Sequence, residues 1–354
     1  MNELIHMPGN NTKGIRRQLL TTVSVFVLMV SACGYRNAHA ADNDSDRPTV
    51  WVEFGGQLER VDSLQDPFTP PFTSISPAPS TFGPLSPTQA QQTPQYSNGL
   101  EGSISFEPSG LDWIFSAALR YGRSNGTKHI HQQTADHSSP FGQQPYAFTD
   151  VRTKDNESHA TLDFQAGRDL GLGLLGANGR SIISFGVRYV QFTSRSDVSI
   201  SMNPTSNPYH YHLFYQAGHA ARSFTGIGPT ISWEASATVL GNRDTSEVTL
   251  DWGANAALLF GKQKADIHHA TSEDHAYGGV IYSSSNARAT SKSIVVPNIG
   301  GFAGFSVRYA SAKVTFGYRA DLFVDAMDRG IDQRESQDAA FHGPFATISM
   351  GFGG

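Results

Sequence analysis

Ten stretches of this chain alternate apolar and polar residues with a period of two, and the connections between them alternate long and short from one end to the other. A period of two means a strand with one greasy face and one polar face. The stretches lie near 49–59, 99–107, 113–122, 160–167, 183–192, 226–235, 248–260, 298–309, 313–325 and 341–352. Short turns fall at 108–110, 169–179, Gly241-Asn242 and 310–312, the first three marked by glycine. Long polar connections fall at 62–97, 124–156, 194–220, 262–292 and 327–341, the first of them crowded with proline, serine, threonine and glutamine. A soluble sandwich has turns of similar length at both ends. Short turns on one side, long loops on the other and an even strand count predict an up-and-down antiparallel β-barrel that crosses a bacterial outer membrane. A hairpin hidden in 194–220 would raise the count to twelve, and a misreading of the fifth and sixth strands would lower it to eight. The last strand sets Ala346, Ile348, Met350 and Phe352 against Thr347, Ser349 and Gly351.

Residues 1–40 read as a signal peptide. Lys13, Arg16 and Arg17 precede an apolar run from Leu19 to Ala32, and Ala38-His39-Ala40 supplies a small-x-small cleavage site. The run falls short of the roughly 20 residues of a membrane helix. Val30-Ser31-Ala32-Cys33 also fits a lipobox, but a spanning barrel has no need of a lipid anchor, so cleavage after Ala40 is the favoured reading. Residues 41–354 are then a single barrel without cysteine, because Cys33 is the only one in the sequence. Of 26 basic and 31 acidic residues, the leader holds Lys13, Arg16, Arg17, Arg36 and Glu3, which leaves 22 and 30. That acidic balance offers nothing to nucleic acid.

The polar faces of the strands point into a barrel and carry both signs of charge. Glu53, Glu101, Arg120, Asp163, Arg188, Glu234, Asp251, Arg308, Arg319 and Asp321 are the candidate lumen-lining residues, with Glu107, Asp112, Asp325, Arg168 and Lys313 on the same faces. Ten strands enclose a narrow lumen, since wide aqueous channels need about sixteen. Opposed charges there either line a small selective pore or pair with one another and plug it. Trp113, Tyr121, Tyr189, Trp233, Trp252, Tyr309 and Tyr318 fall on apolar faces, as interfacial girdles require, whereas Trp51 shares the polar face of its strand.

Nine histidines sit in three of the long polar segments: His129, His131 and His137; His210, His212 and His219; His268, His269 and His275. The His-x-His pairs have a chelating spacing if the segment is ordered, but neither cysteine nor a His-Glu-x-x-His motif accompanies them. They are read as surface residues, with no metal and no cofactor assigned. The chain is read as a non-enzyme, with an omptin-like barrel protease as a distant alternative.

Three stretches, Ser184-Phe185-Gly186-Val187-Arg188-Tyr189, Phe224-Thr225-Gly226-Ile227-Gly228-Pro229 and Phe341-His342-Gly343-Pro344-Phe345, resemble the Legionella-type major outer membrane protein family. The resemblance covers the second half of the chain. It implies a pore-forming outer-membrane barrel with, in some members, a part in surface attachment. The chain departs from it in the two glycines after Phe352 and in having no cysteine after residue 40. The expectation is therefore a porin-like channel for small solutes or ions, in contact with outer-membrane lipid. The alternative is a surface adhesin or structural barrel that meets a ligand through its external loops.

Overall fold

The computed structural model describes residues 49–62, 97–133, 148–170, 180–203, 212–241, 246–275, 279–309, 311–331 and 333–353. These form ten strands: β1 (Thr49–Asp62), β2 (Ser97–Glu107), β3 (Trp113–Gln133), β4 (Phe148–Asp169), β5 (Arg180–Asn203), β6 (His212–Gly241), β7 (Ser246–His275), β8 (Gly279–Tyr309), β9 (Ala312–Asp328) and β10 (Ser336–Phe352). Each pairs antiparallel with its sequence neighbour, and β10 closes the ring on β1 from Phe352 opposite Val50 to Ala340 opposite Asp62. The strand number and order are those read from the sequence. The leader (1–40), the proline-rich connection after Asp62, His137 and His210 lie outside the described residues.

The polarity of the wall is inside out. On β10, Ile348 and Met350 are each 52% exposed, while Thr347 and Ser349, which alternate with them, are 3% and 6% exposed. Phe54, Phe115, Phe164, Phe185, Ile231, Phe305 and Phe316 likewise face outward. A contiguous belt of large apolar side chains around a closed barrel is too extensive for water and is the surface that lipid covers.

The strands run well past that belt at the end opposite the short turns. β6 and β7 have 30 residues each and β8 has 31, whereas crossing a bilayer takes about 9–11. The segments 124–156 and 262–292, expected as loops, and 194–220, for which an extension of the flanking strands is the alternative to a loop, are mainly strand wherever they are described, and the β3–β4 ladder is unbroken from Trp113 opposite Arg168 to Gln133 opposite Phe148. Their Ser-, Thr- and His-rich composition resembles a loop because the outward face there meets water instead of lipid.

The alternation inverts at this boundary without a change of register. On β5 the outward residues pass from Phe185, Val187 and Tyr189 to Gln191, Thr193 and Arg195, while the inward ones pass from Ser184, Gly186 and Arg188 to Val190, Phe192, Val198 and Ile200, with Ser194 and Ser196 between the two apolar pairs. Among the described residues six strands, β3 to β8, make the extension. β8 pairs with β9 only from Asn298 to Tyr309, and β2 pairs with β3 only up to Leu100 opposite Tyr121. The stretch 327–341, expected as a loop, contributes its ends to β9 and β10 and leaves 329–335 as the connection.

Candidate functional site

The candidate site is the lumen, which is stacked in layers. Nearest the short turns is a cavity of about 490 Å³ that reaches the rim at Thr49, Glu107 and Glu247. Glu53, Glu101, Arg120, Asp163, Arg188, Glu234, Asp251, Arg308 and Arg319 line it, and Asp321 lies buried beside Arg120. Asp112 and Arg168, read as inward, pair instead at the exposed rim, 2.8 Å apart. Trp51 is inside, as its face requires, with the Arg308 guanidinium 5.0 Å above its ring.

The charges at the inner end of this cavity are paired, some along the wall and some across the barrel. The Arg188 Nε and Nη2 groups donate to the two Asp163 oxygens at 2.7 and 3.0 Å. Its Nη1 donates to Asn255 Oδ1 at 2.6 Å on β7 and to Asn298 on β8. Arg120 on β3 binds Asp321 on β9, and Arg319 on β9 binds Glu101 on β2. Lys313 Nζ stands 2.7 Å from Asp251, and Ser349 Oγ donates to Glu53 at 2.8 Å. Arg188 with Asp163 and Ser349 with Glu53 join neighbouring strands along the wall, whereas Arg120 with Asp321, Arg319 with Glu101 and Arg188 with Asn298 join strands that are not adjacent and so meet through the interior. Gly300 leaves the space that the Asp321 carboxylate fills, since a Cβ there would overlap it.

Glu59 and His159 form the next layer. They approach to 3.2 Å without the alignment of a directed hydrogen bond, and the His159 ring lies 4.2 Å from that of Phe341. A Cβ at Gly122 would overlap both side chains. Glu59 shares the polar face of its strand with Glu53, and the sequence signal of His159 is its even spacing from Thr161 and Asp163 on the inward face of β4.

Above them the polar lumen ends in a plug of rings. Phe192 from β5 lies 5.7 Å from Phe224 of β6, 4.6 Å from Phe323 of β9 and 5.2 Å from Phe341 of β10. Val190, Leu259 and Val296 complete a fully buried cluster. β5 is not a neighbour of β9 or β10 in the ring, so these contacts cross the full width of the barrel.

Over the plug the β9–β10 hairpin folds inward. Asp325 has a φ of 56°, uncommon for a residue other than glycine, and its N–H donates to Asp338 Oδ1 at 2.8 Å where the β9–β10 register slips. Beyond this bulge Ala326, Met327 and Asp328 are all buried. Two inward arginines hold the tip. Arg222 of β6 donates to the Asp328 and Arg329 carbonyls at 2.6 and 2.9 Å. Arg288 of β8 donates to the Ile331 carbonyl and to Asp328 Oδ2, both at 2.9 Å, and to the Gly330 carbonyl. Burial pushes the Arg222 guanidinium down to about 10, with Asp328 opposing the shift, so it stays charged at neutral pH. Ile331 packs on a second interior cluster of Val151, Val198, Ile200, Ala220, Ala265 and Ile267.

The described histidines of the long segments lie mostly on the outward face of the extension. His129 Nε2 and His131 Nδ1 approach the same Asp150 oxygen at 2.6 and 3.3 Å, His219 approaches Asp197 at 2.6 Å, and His268 approaches Asp266 at 3.0 Å. Partial burial works to raise the Asp150 carboxyl. The hydrogen bond and charge of His129, with Arg152 and His131, outweigh it and hold that carboxyl below the usual range. Among the described residues no group of three donors is spaced to hold a metal ion.

No family model matches the chain, and no curated protein does. Among solved structures it is similar to LpxR from Salmonella typhimurium, at 9% identity and a TM-score of 0.24 over 85% of this chain and 99% of that one. It is also similar to the transport unit of the autotransporter AIDA-I from Escherichia coli, at 9% identity and a TM-score of 0.21 over 93% and 98%. The P. putida toluene transporter TodX matches at 9% identity and a TM-score of 0.17 over 89% and 90%. At such identities and scores the likenesses carry nothing about activity.

Proposed function

We propose that the protein is an outer-membrane β-barrel whose lumen is closed at rest and whose work is done at its outer end, as a surface-binding barrel. The observation that carries this is the plug of Phe192, Phe224, Phe323 and Phe341, overlain by a hairpin clamped through Arg222 and Arg288. A passive channel needs a continuous polar path, and four packed rings interrupt one. The lipid-facing belt, the even strand number and the short turns gathered at one end support the outer membrane and an orientation with those turns in the periplasm. The six-stranded extension then stands in the medium outside the cell. It offers a ligand a cleft of about 690 Å³ bounded by His131, Asp150, Arg152 and Tyr215.

The porin-like reading is favoured by one observation, the charge-lined cavity below the plug. Under it the hairpin and rings are a gate. Membership in the Legionella-type family fits either reading, and two of the three resembling stretches supply plug rings, Phe224 and Phe341. Single-channel recording of the folded mature chain in a planar bilayer separates them. The closed-barrel reading expects no discrete steps at moderate voltage. Steps whose ion preference changes when Arg188 or Arg319 is neutralised would overturn it in favour of the pore.

A further inference from the structure

The outward face just above the apolar belt is basic, and its pattern fits one kind of partner. Register places three successive rows of outward residues there on β3 to β8. The first is Tyr121, Ala160, Gln191, Thr225, Lys262 and Ser293. The second is Arg123, Ser158, Thr193, Ser223, Lys264 and Ser291, and the third is Asn125, Asn156, Arg195, Ala221, Asp266 and Ala289. Across these rows the charged residues are Arg123, Arg195, Lys262 and Lys264 against one carboxylate, Asp266, which is already paired with His268. Arg123, Lys262 and Lys264 are exposed, and the acceptor for Arg123 is the neutral Asn156, at 3.4 Å. The rim at the other end of the barrel mixes both signs instead, in Asp112 with Arg168 and in Arg180 with Glu107 and Asp169.

We infer that this collar binds the phosphorylated headgroups of lipids in the leaflet that adjoins it, a glycolipid bearing phosphate on sugar being the best fit. Acyl chains lie along the belt below, where Tyr189 and Phe260 form its edge. The cations meet the phosphates. The hydroxyls of Ser158, Thr193 and Ser223, which bridge from Arg123 to Lys264 in one row, meet sugar and phosphate oxygens. That row spans about 19 Å along the sheet from β3 to β7, room for a headgroup of disaccharide size. A Lys or Arg beside an anionic surface is worth roughly fivefold in partitioning, fading within a Debye length as salt rises. The inference rests on the proposed placement of the short turns in the periplasm. It does not depend on whether the lumen conducts.

The test is native mass spectrometry of the folded mature chain in zwitterionic detergent. It is titrated with a bisphosphorylated glucosamine-disaccharide glycolipid, with its dephosphorylated counterpart and with inorganic phosphate. Heat-modifiable gel mobility checks that each variant is folded. The expected result is at least tenfold tighter retention of the phosphorylated glycolipid, weakening with salt. That preference should be lost when Arg123→Gln, Arg195→Gln, Lys262→Gln and Lys264→Gln are combined. It should be kept when the same four positions exchange Arg and Lys. Equal retention of the two lipids would mean that the apolar belt alone binds them, and would overturn the inference. So would an unchanged preference in the neutralised variant, or displacement by millimolar inorganic phosphate, which would point to a soluble anion site.

Discussion

Removing the Phe192 ring tests whether the lumen is packed as a protein core. The side chain is 2% exposed and meets three other rings at 4.6 to 5.7 Å, drawn from three different strands. Phe192→Ala removes its burial and leaves a void that β5, fixed by ladders on both sides, cannot collapse to fill. Phe→Ala in a core costs about 3–5 kcal/mol. An aromatic pair contributes about 0.5–1.5 kcal/mol beyond burial, so a double-mutant cycle with Phe341→Ala should show coupling of that order. Reversible guanidinium unfolding in detergent micelles, followed by tryptophan fluorescence, measures both. Bilayer recording of the same proteins should find the single variant silent and the double variant conducting, since two of the four rings are then gone. A loss below about 1 kcal/mol, with no coupling, would show that the rings are not packed together and would refute the closed lumen.

Other perturbations probe the hairpin and the outer face. Arg288→Met keeps the stem but removes the guanidinium, which leaves the Asp328 carboxylate, 1% exposed, without its ion-pair partner. Breaking a buried pair this way costs about 3–5 kcal/mol, and amide exchange across residues 326–337 should quicken in hydrogen-exchange mass spectrometry. For Asp150 the folded pKa lies below its ordinary 3.8, so its pairing stabilises the fold above that value and the contribution disappears as pH falls through the folded pKa. His129 is half exposed, so Asp150→Asn should cost less than about 1 kcal/mol at pH 7 and nothing in strong acid, measured by thermal melting at both.

Strand number, order and inward charge were legible in the sequence because a period of two assigns every side chain to a face. Glu53, Arg120, Arg188 and Asp321 needed only that rule. Their partners were not legible. Arg120 meets Asp321 across 201 residues because strand tilt and stagger bring β3 to face β9, and neither is written in a local pattern. Val190 and Phe192 look like a break in the alternation, yet they mark where it inverts as β5 leaves lipid. The lengths of β6 to β8 were hidden for the same reason, since an outward face of Ser, Thr, Lys and His carries no hydrophobic signal. The inward hairpin turns on Asp325, where no glycine advertises the positive φ.

Access to the cavity from each side of the membrane tests the closed lumen most directly. Ser232 lines the cavity and points inward, and the chain beyond residue 40 has no cysteine of its own, so Ser232→Cys gives a single reporter. In oriented proteoliposomes, a small charged thiol reagent added at the short-turn side should label it, and the same reagent added at the long-strand side should not. Labelling at equal rates from both sides would contradict the closed barrel and establish a continuous water path through it.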